Sequence, residues 1–113
     1  VTLEKINGFV DGAAVKKVGN YSFDFCKSHL DEIILVDEGE ICKSILDLKK
    51  TEGIIAEPAG AMSTAALRQF KNEIINKNVV CLICGGNNDE SRMPDINKRA
   101  KEWMASNPDF QIH

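Results

Sequence analysis

Two short apolar runs stand out in the pattern of hydrophobic and polar positions. Residues 33–36 and residues 79–84 are each continuously apolar, and both runs are rich in β-branched side chains. This pattern is typical of strands that are buried on both faces, as in parallel sheets. The second run ends abruptly in Gly85 and Gly86, so we expect its last residues to border a functional site at the end of the strand.

Helical patterns separate and follow these runs. Ser22 is predicted to cap a short helix whose apolar stripe ends at Leu30. Asp37 and Glu40 resemble the capping box of a second helix, and Gly53 is a typical residue for its C-terminal end. Strands that alternate with helices predict an α/β fold with a small, mostly parallel sheet and flanking helices.

A third helical segment carries mostly small side chains, and a fourth is amphipathic. Pro58 suits the first turn of a helix, and the small residues after it let a backbone or a ligand approach closely. These small residues are Ala59, Gly60, Ala61, Ser63, Ala65 and Ala66. The last helix is predicted from Ile96, Ala100 and Trp103 at helical spacing, and Asn107-Pro108 ends it.

Composition and charge narrow the class of protein. The 113 residues are 43% hydrophobic and 27% charged, which is ordinary for a globular domain. The net charge of −3 is spread along the chain, so we expect no nucleic-acid partner and no membrane partner. No apolar run approaches the roughly 18 residues of a membrane span, and the first residues have no signal-peptide pattern. The cysteines, which we interpret as reduced thiols, favour a cytoplasmic protein. The thin predicted sheet and the absence of an initiator Met suggest a piece of a larger enzyme.

The four cysteines are expected to be reduced and mostly buried. Three of them lie within apolar patterns, which favours free thiols over a disulfide framework. Cys81 and Cys84 form a C-x-x-C match, but residues three apart on a strand point to opposite faces. No second pair follows at zinc spacing, and no metal site is predicted. A thiol redox module remains an alternative.

The clearest candidate site is the segment Cys84-Gly85-Gly86-Asn87. Ligands in open α/β sheets collect beyond the carboxyl ends of the strands, and glycines let the backbone approach a flat ring or an anion. Cys84 would supply a neutral, weakly hydrogen-bonding group at the rim. A plain turn at the end of a strand is the alternative interpretation. Glu57 either stabilises a buried helix start or faces a ligand, and the residues alone leave both readings open.

Three motifs together resemble a known family. Asp11-Gly12-Ala13-Ala14-Val15, Glu57-Pro58-Ala59-Gly60-Ala61 and Cys84-Gly85-Gly86-Asn87 have the order and spacing seen in threonine dehydratases. Those enzymes use pyridoxal phosphate (PLP) and belong to the tryptophan-synthase-β-like fold family. The resemblance implies that Cys84 faces the pyridine nitrogen of the cofactor, that the backbone at Gly12 passes close to it, and that Glu57 lies near the ring edge. With Gly85, these are the candidate cofactor-binding residues.

The resemblance also implies that the chain is incomplete. The Schiff-base lysine and the glycine-rich phosphate loop of the family lie upstream of the matched region, and neither is present. We therefore expect residues 1–106 to be part of a catalytic domain that is inactive alone, with no catalytic residue in this chain. Residues 107–113 would be a stub toward a regulatory domain, which in biosynthetic members would make isoleucine an effector.

The complete enzyme, expected to be a homo-oligomer, would convert the amino-acid substrate L-threonine to 2-oxobutanoate and ammonia. Many threonine dehydratases carry Ser where this chain has Cys84. An L-serine dehydratase or a serine racemase-like member of the same family is therefore an alternative function. A non-enzymatic α/β module that binds a ligand or a partner through the same edge is the alternative outside enzymology.

Overall fold

Helices build the described part of the chain. The structure is a computed structural model that describes residues 1–110. Its α-helices are α1 (Asn20–His29), α2 (Glu38–Glu52), α3 (Met62–Ala66) and α4 (Met93–Ser106). Short 3₁₀ turns lie at Asp11–Ala13, Ala59–Ala61, Leu67–Phe70, Glu90–Arg92 and Pro108–Phe110. Within residues 1–110, no helix is long and apolar enough to cross a membrane.

The core lies between α2 and α4. Ile41 and Ile45 on α2 and Ile96 and Ala100 on α4 are at most 1% exposed. Each isoleucine buried in this way stabilises the fold by about 1.5–3 kcal/mol relative to an exposed side chain. The two helices can approach closely because Gly39 on α2 faces α4. The predicted apolar stripe of the last helix is therefore confirmed in its position and in its role.

The ends of α2 test the capping predictions. Gly53 ends the helix with a φ of 67°, the left-handed conformation that glycine adopts without strain, so this prediction is confirmed. Asp37 does occupy the N-cap position, but its side chain makes no capping hydrogen bond. The predicted capping box is therefore wrong for the Asp37 side chain, but its other half is present, because the carboxylate of Glu40 accepts the backbone amide of Asp37. Glu40 is buried and also accepts a hydrogen bond from Gln69 at 3.3 Å, and its burial raises the pKa of its carboxyl group.

The first helix differs from the prediction. It begins at Asn20 with Gly19 as the N-cap residue, so Ser22 lies inside the helix and the predicted cap is wrong. The backbone explains the earlier start, because Gly19 is extended and its carbonyl accepts the Phe23 amide at 2.9 Å. Every residue of α1 is exposed. Its apolar stripe borders an open cavity of about 420 Å³ rather than the core.

The predicted sheet is not confirmed. Residues 1–110 contain no β-strand, and the segments 33–36 and 79–84 carry no regular secondary structure. Neither segment has a backbone hydrogen bond to the other within the described chain. A strand needs a neighbouring strand for its backbone groups, and these segments lack one here. A cavity of about 520 Å³ lies beside both segments, bordered by residues 29–32, Ile34 and residues 79–81.

Exposure along the two segments nevertheless alternates with the period of a strand. Ile34, Val36, Cys81 and Ile83 are half-buried, and Val36 and Ile83 pack against the core. Their neighbours are open to solvent: Ile33 (79%), Leu35 (88%), Val80 (96%) and Leu82 (76%). The expectation of burial on both faces is therefore wrong for the described residues. One face packs on the helices, and nothing in residues 1–110 covers the other.

Side chains of the α3 region attach these segments to the helices. The hydroxyl of Ser63 donates a hydrogen bond to the carbonyl of Leu82 at 2.6 Å. The amide of Gln69 donates to the carbonyl of Leu35 at 2.8 Å. Each bond satisfies one carbonyl that a neighbouring strand would otherwise satisfy. The open apolar face is consequently held in a fixed position against the core.

Substitution of Gly39 tests the packing of α2 on α4. A Cβ at this position would lie 2.8 Å from Cγ of Trp103 and 3.1 Å from the carbonyl oxygen of Arg99. We expect Gly39→Ala to lower the free energy of unfolding by about 1–3 kcal/mol, because a backbone group must move. Urea unfolding followed by circular dichroism measures this loss.

The control is Gly8→Ala, since nothing lies within 4 Å of a Cβ at Gly8. It is expected to change the stability by less than about 1 kcal/mol. Equal stability of the Gly39→Ala and Gly8→Ala variants would contradict the close packing of the two helices.

Candidate functional site

Glu57 is the centre of the candidate site. It follows the fully buried Ala56 and comes directly before Pro58, which precedes the Ala59–Ala61 turn as predicted. The backbone amide of Glu57 donates to the carbonyl of Gly85 at 3.0 Å. Its own carbonyl accepts the amide of Ala61 at 3.1 Å. The backbone of Glu57 therefore joins the start of a helical segment to the glycine loop.

The side chain of Glu57 lies against two glycines from distant parts of the sequence. A Cβ at Gly85 would overlap the Glu57 carboxyl group and would lie 2.8 Å from its Cγ, and Gly85 has a φ of 76°. A Cβ at Gly12 would lie 3.1 Å from Oε1 of Glu57 and 3.0 Å from the Cβ of Ala59. The structure thus brings together three of the four predicted site residues. Glycine is required at position 85 both for space and for conformation.

Cys84, the fourth predicted residue, is held next to this group by a second close approach. A Cβ at Gly60 would overlap the carbonyl oxygen of Cys84 and would lie 3.0 Å from that of Gly85. The helical segment and the glycine loop can meet only because position 60 has no side chain. The run of small residues indicated a close approach in this region, but it did not identify Gly60 as the point of contact.

The cysteines have different surroundings. The thiol of Cys84 is exposed, whereas that of Cys81 is half-buried and lies 3.8 Å from the carbonyl oxygen of Ser63. All four cysteines are free, and within residues 1–110 no cluster of potential metal ligands is found. The expectation of mostly buried thiols is wrong, because only Cys42 among the four is buried. Burial raises the pKa of the Cys42 thiol to about 11.

The loop after the glycines is fixed by two side chains. The amide of Asn88 donates to the carbonyl of Ala56 at 3.0 Å, which links the loop to the residue before Glu57. The other amide atom of Asn88, Oδ1, is buried without a hydrogen-bond partner in the described structure. Asp89 accepts the amide of Ser91 at 2.9 Å, and this bond lowers the pKa of the Asp89 carboxyl. The sequence marked this loop only as polar, and it did not predict either anchor.

The arrangement is suited to holding a flat group by its edge. It brings exposed glycine backbone, a carboxylate and a thiol together in space from three distant parts of the sequence. No Lys or Arg side chain is among the four predicted residues, so they supply no charge partner for a phosphate. The four residues therefore offer neighbouring backbone groups, a carboxylate and a thiol, and no cationic side chain.

Comparison with known proteins assigns the chain to a family. Residues 1–85 match the sequence model of the family described as "Pyridoxal-phosphate dependent enzyme". This match covers most of the chain, and the chain belongs to that family. The resemblance stated from the three motifs is thereby confirmed.

Individual relatives carry a more specific name. The chain is 55% identical over 100 residues to "L-threonine dehydratase biosynthetic IlvA" of Halalkalibacterium halodurans, 52% identical to that of Bacillus subtilis and 51% to that of Staphylococcus epidermidis. Each alignment covers 88% of this chain and 24% of the relative. The chain thus spans about a quarter of the length of these relatives.

A solved structure supports the same fold family. The processed form of threonine deaminase isoform 2 from Solanum lycopersicum superposes with a TM-score of 0.81 at 30% sequence identity. The superposition covers 88% of this chain and 30% of the tomato chain. The fold of the described residues is consequently that of one portion of a PLP-dependent enzyme, although their sheet is not formed.

Substitution of Gly60 tests the close approach of the two backbones at the site. We expect Gly60→Ala to lower the free energy of unfolding by about 1–3 kcal/mol, because the carbonyl of Cys84 has to move away. Movement of this segment should also change the rate at which the exposed Cys84 thiol reacts with iodoacetamide. Chemical unfolding and mass spectrometry of the alkylated peptide measure the two effects.

Gly86→Ala is the matched control, in the glycine loop that Gly60 contacts, since a Cβ at Gly86 would meet only the Ile55 carbonyl, at 3.3 Å. A smaller loss of stability is expected for this control. If Gly60→Ala were as stable and as reactive at Cys84 as Gly86→Ala, the close contact would be refuted.

Proposed function

We propose that this chain is the C-terminal portion of the catalytic region of a PLP-dependent threonine dehydratase. The complete enzyme would convert L-threonine to 2-oxobutanoate and ammonia. The observation that carries the proposal is the meeting of Gly12, Glu57 and Gly85 beside Cys84, in a chain whose relatives are named as threonine dehydratases. The motifs are far apart in sequence, so their convergence is a property of the fold.

The four residues fit the ring edge of PLP. Cys84 is exposed and free, and its thiol can donate the weak hydrogen bond that an unprotonated pyridine nitrogen accepts. Gly85 and Gly12 leave room for the carboxyl group of Glu57, because a side chain at either position would occupy the same space. We propose that these glycines let the backbone border the ring while Glu57 lies at its edge.

The neutral character of Cys84 suits an elimination. When bound, PLP would supply the electron sink for loss of the α-proton and the β-hydroxyl group. As a neutral hydrogen-bonding group, the thiol of Cys84 would leave the pyridine nitrogen without a charged partner, which fits loss of a β-hydroxyl group. Cys84 would orient the ring through this contact, and Glu57 would keep its position through the bond between its amide and Gly85.

The remainder of the catalytic domain is the partner that we propose for the open apolar face. Ile33, Leu35, Val80 and Leu82 are 76–96% exposed, although their pattern is that of a buried parallel sheet. Strands from the missing part would pair with these segments and cover that face. The same missing part would bring the Schiff-base lysine and the phosphate loop.

The wider organisation of the protein follows from the same proposal. Residues 1–106 would belong to the catalytic domain, since α4 ends at Ser106. Residues 107–113 would lead toward a regulatory domain, and the last three of them, 111–113, lie outside the described residues. We propose a homo-oligomeric, cytoplasmic enzyme of isoleucine biosynthesis.

Turnover by the complete protein that carries this sequence tests the proposal. With PLP and L-threonine we expect 2-oxobutanoate, detected by reduction with a lactate dehydrogenase that accepts it. L-Serine, which would give pyruvate, is expected to react less well. Faster turnover of serine would favour the serine dehydratase alternative, and racemised serine without a keto acid would favour the racemase. No keto acid, no racemised serine and no bound PLP would refute an enzyme of this class.

Variants of Cys84 test its contact with the cofactor in the same assay. Cys84→Ala should weaken PLP binding by roughly tenfold, because loss of one hydrogen bond to the ring is worth about 1 kcal/mol or slightly more. Cys84→Ser should retain most of the affinity, since a hydroxyl can make the same bond. The control is Cys26→Ala on the exposed α1. Unchanged affinity and turnover in Cys84→Ala would count against this role.

A further inference from the structure

The turn that carries Gly12 needs an anchor outside its own segment. Two of the three segments at the site are joined directly, by the hydrogen bond from the Glu57 amide to the Gly85 carbonyl. The third is the Asp11–Ala13 turn, in a stretch of chain that is mostly exposed. Among residues 1–19, only Phe9 is buried, with 8% of its surface exposed.

Arg92 contacts this turn on both sides of Val10. Its Nη2 atom donates to the carbonyl of Phe9 at 2.8 Å, and its Nη1 atom lies 3.7 Å from Oδ1 of Asp11. The guanidinium carbon is also 5.4 Å from the centre of the Phe9 ring, within the range of a cation–π contact. The guanidinium group of Arg92 thus contacts the carbonyl of Phe9 and the carboxylate of Asp11, which lie 83 and 81 residues earlier in the chain.

The contact continues to the site glycine. Oδ1 of Asp11, the atom that faces Arg92, also accepts the backbone amide of Gly12 at 3.0 Å. Gly12 in turn packs against Glu57, because a Cβ at Gly12 would lie only 3.1 Å from Oε1 of Glu57. A chain of direct contacts therefore runs from the guanidinium through Asp11 to the backbone that borders the candidate site.

Arg92 is also close in sequence to the glycine loop, which forms another part of the site. It ends the Glu90–Arg92 turn, which Asp89 caps and which follows the glycine loop that contains Gly85. The ion pair alone is a weak tether, because Asp11 is 69% exposed. Arg99 also lies over the Phe9 ring, at 4.2 Å, so the ring contact is shared between two arginines. The hydrogen bond from Arg92 to the carbonyl of the buried Phe9 therefore carries most of the positioning.

We infer that Arg92 is a positioning residue that sets how closely the Gly12 turn approaches Glu57 and thereby shapes one side of the cofactor site. The inference rests on the proposed function, because the ligand at that site is taken to be PLP. Arg92 lies beyond residues 1–85, the part that the family model matches. No feature of its local sequence distinguishes it from a surface arginine.

The test uses the complete protein with Arg92→Met, Arg92→Lys and a control, Lys98→Met. Lys98 lies on α4, the helix that directly follows Arg92, and its side chain is 73% exposed. Its ion pair with Glu102 is long, with 4.0 Å between Nζ and Oε1. Two quantities are measured at a temperature at which circular dichroism shows each variant folded. The first is the dissociation constant of PLP, from titration of the apoenzyme. The second is hydrogen exchange of the amides of residues 10–14 in the apoenzyme.

Arg92→Met is expected to raise the PLP dissociation constant about tenfold and to accelerate exchange at residues 10–14, because a charge-assisted hydrogen bond is lost. Arg92→Lys should fall between wild type and Arg92→Met, since an ammonium group keeps one bond but not the fork. Lys98→Met should match wild type in both quantities. A residue that only stabilised the fold would lower the melting temperature and leave the dissociation constant unchanged.

The inference is overturned if folded Arg92→Met binds PLP and exchanges at residues 10–14 like wild type. If Arg92→Met does not fold, Arg92→Gln takes its place, because its shorter neutral side chain loses the ion pair and the fork, and wild-type values in that variant overturn the inference. Failure of the wild-type protein to bind PLP would instead refute the proposed function, and the exchange data would still report whether Arg92 holds the turn.

Discussion

The candidate site depends on the contact between two backbones, that of residues 57–60 and that of Cys84-Gly85. The amide of Glu57 bonds to the carbonyl of Gly85 at 3.0 Å, and the carbonyl of Cys84 occupies the space that a side chain at Gly60 would fill. Both contacts require glycines, so the two motifs are coupled by shape as well as by hydrogen bonding. The position of Cys84 is therefore a consequence of the helical segment that contacts it.

Several features of the fold and the site could be predicted from local sequence. Gly53 ends α2 in the left-handed conformation, and the apolar spacing from Ile96 placed α4 correctly. These features depend on propensities and periodicities that are contained within a few turns of chain. The grouping of Gly12, Glu57 and Gly85 came from a resemblance of motifs, and the geometry of the described residues agrees with it.

Other features could not be predicted, because their causes lie far away in the chain or outside it. Only half of the capping box forms, since the Asp37 side chain makes no capping bond, and the buried Glu40 also bonds to Gln69, 29 residues later. Arg92 reaches Phe9 across 83 residues and leaves no local pattern. The apolar runs predicted buried strands, and a strand is defined by its neighbours, which residues 1–110 do not contain.

Hydrogen exchange of the two apolar segments tests most directly the claim that this chain is one portion of a larger PLP-enzyme domain. The amides of residues 33–36 and 79–83 are compared in the isolated chain and in the complete protein, with the α2 amides reporting whether the isolated chain is folded. We predict exchange that is slower by at least about 100-fold in the complete protein, because new strands would pair with both segments. Equal, fast exchange in both forms would contradict the account.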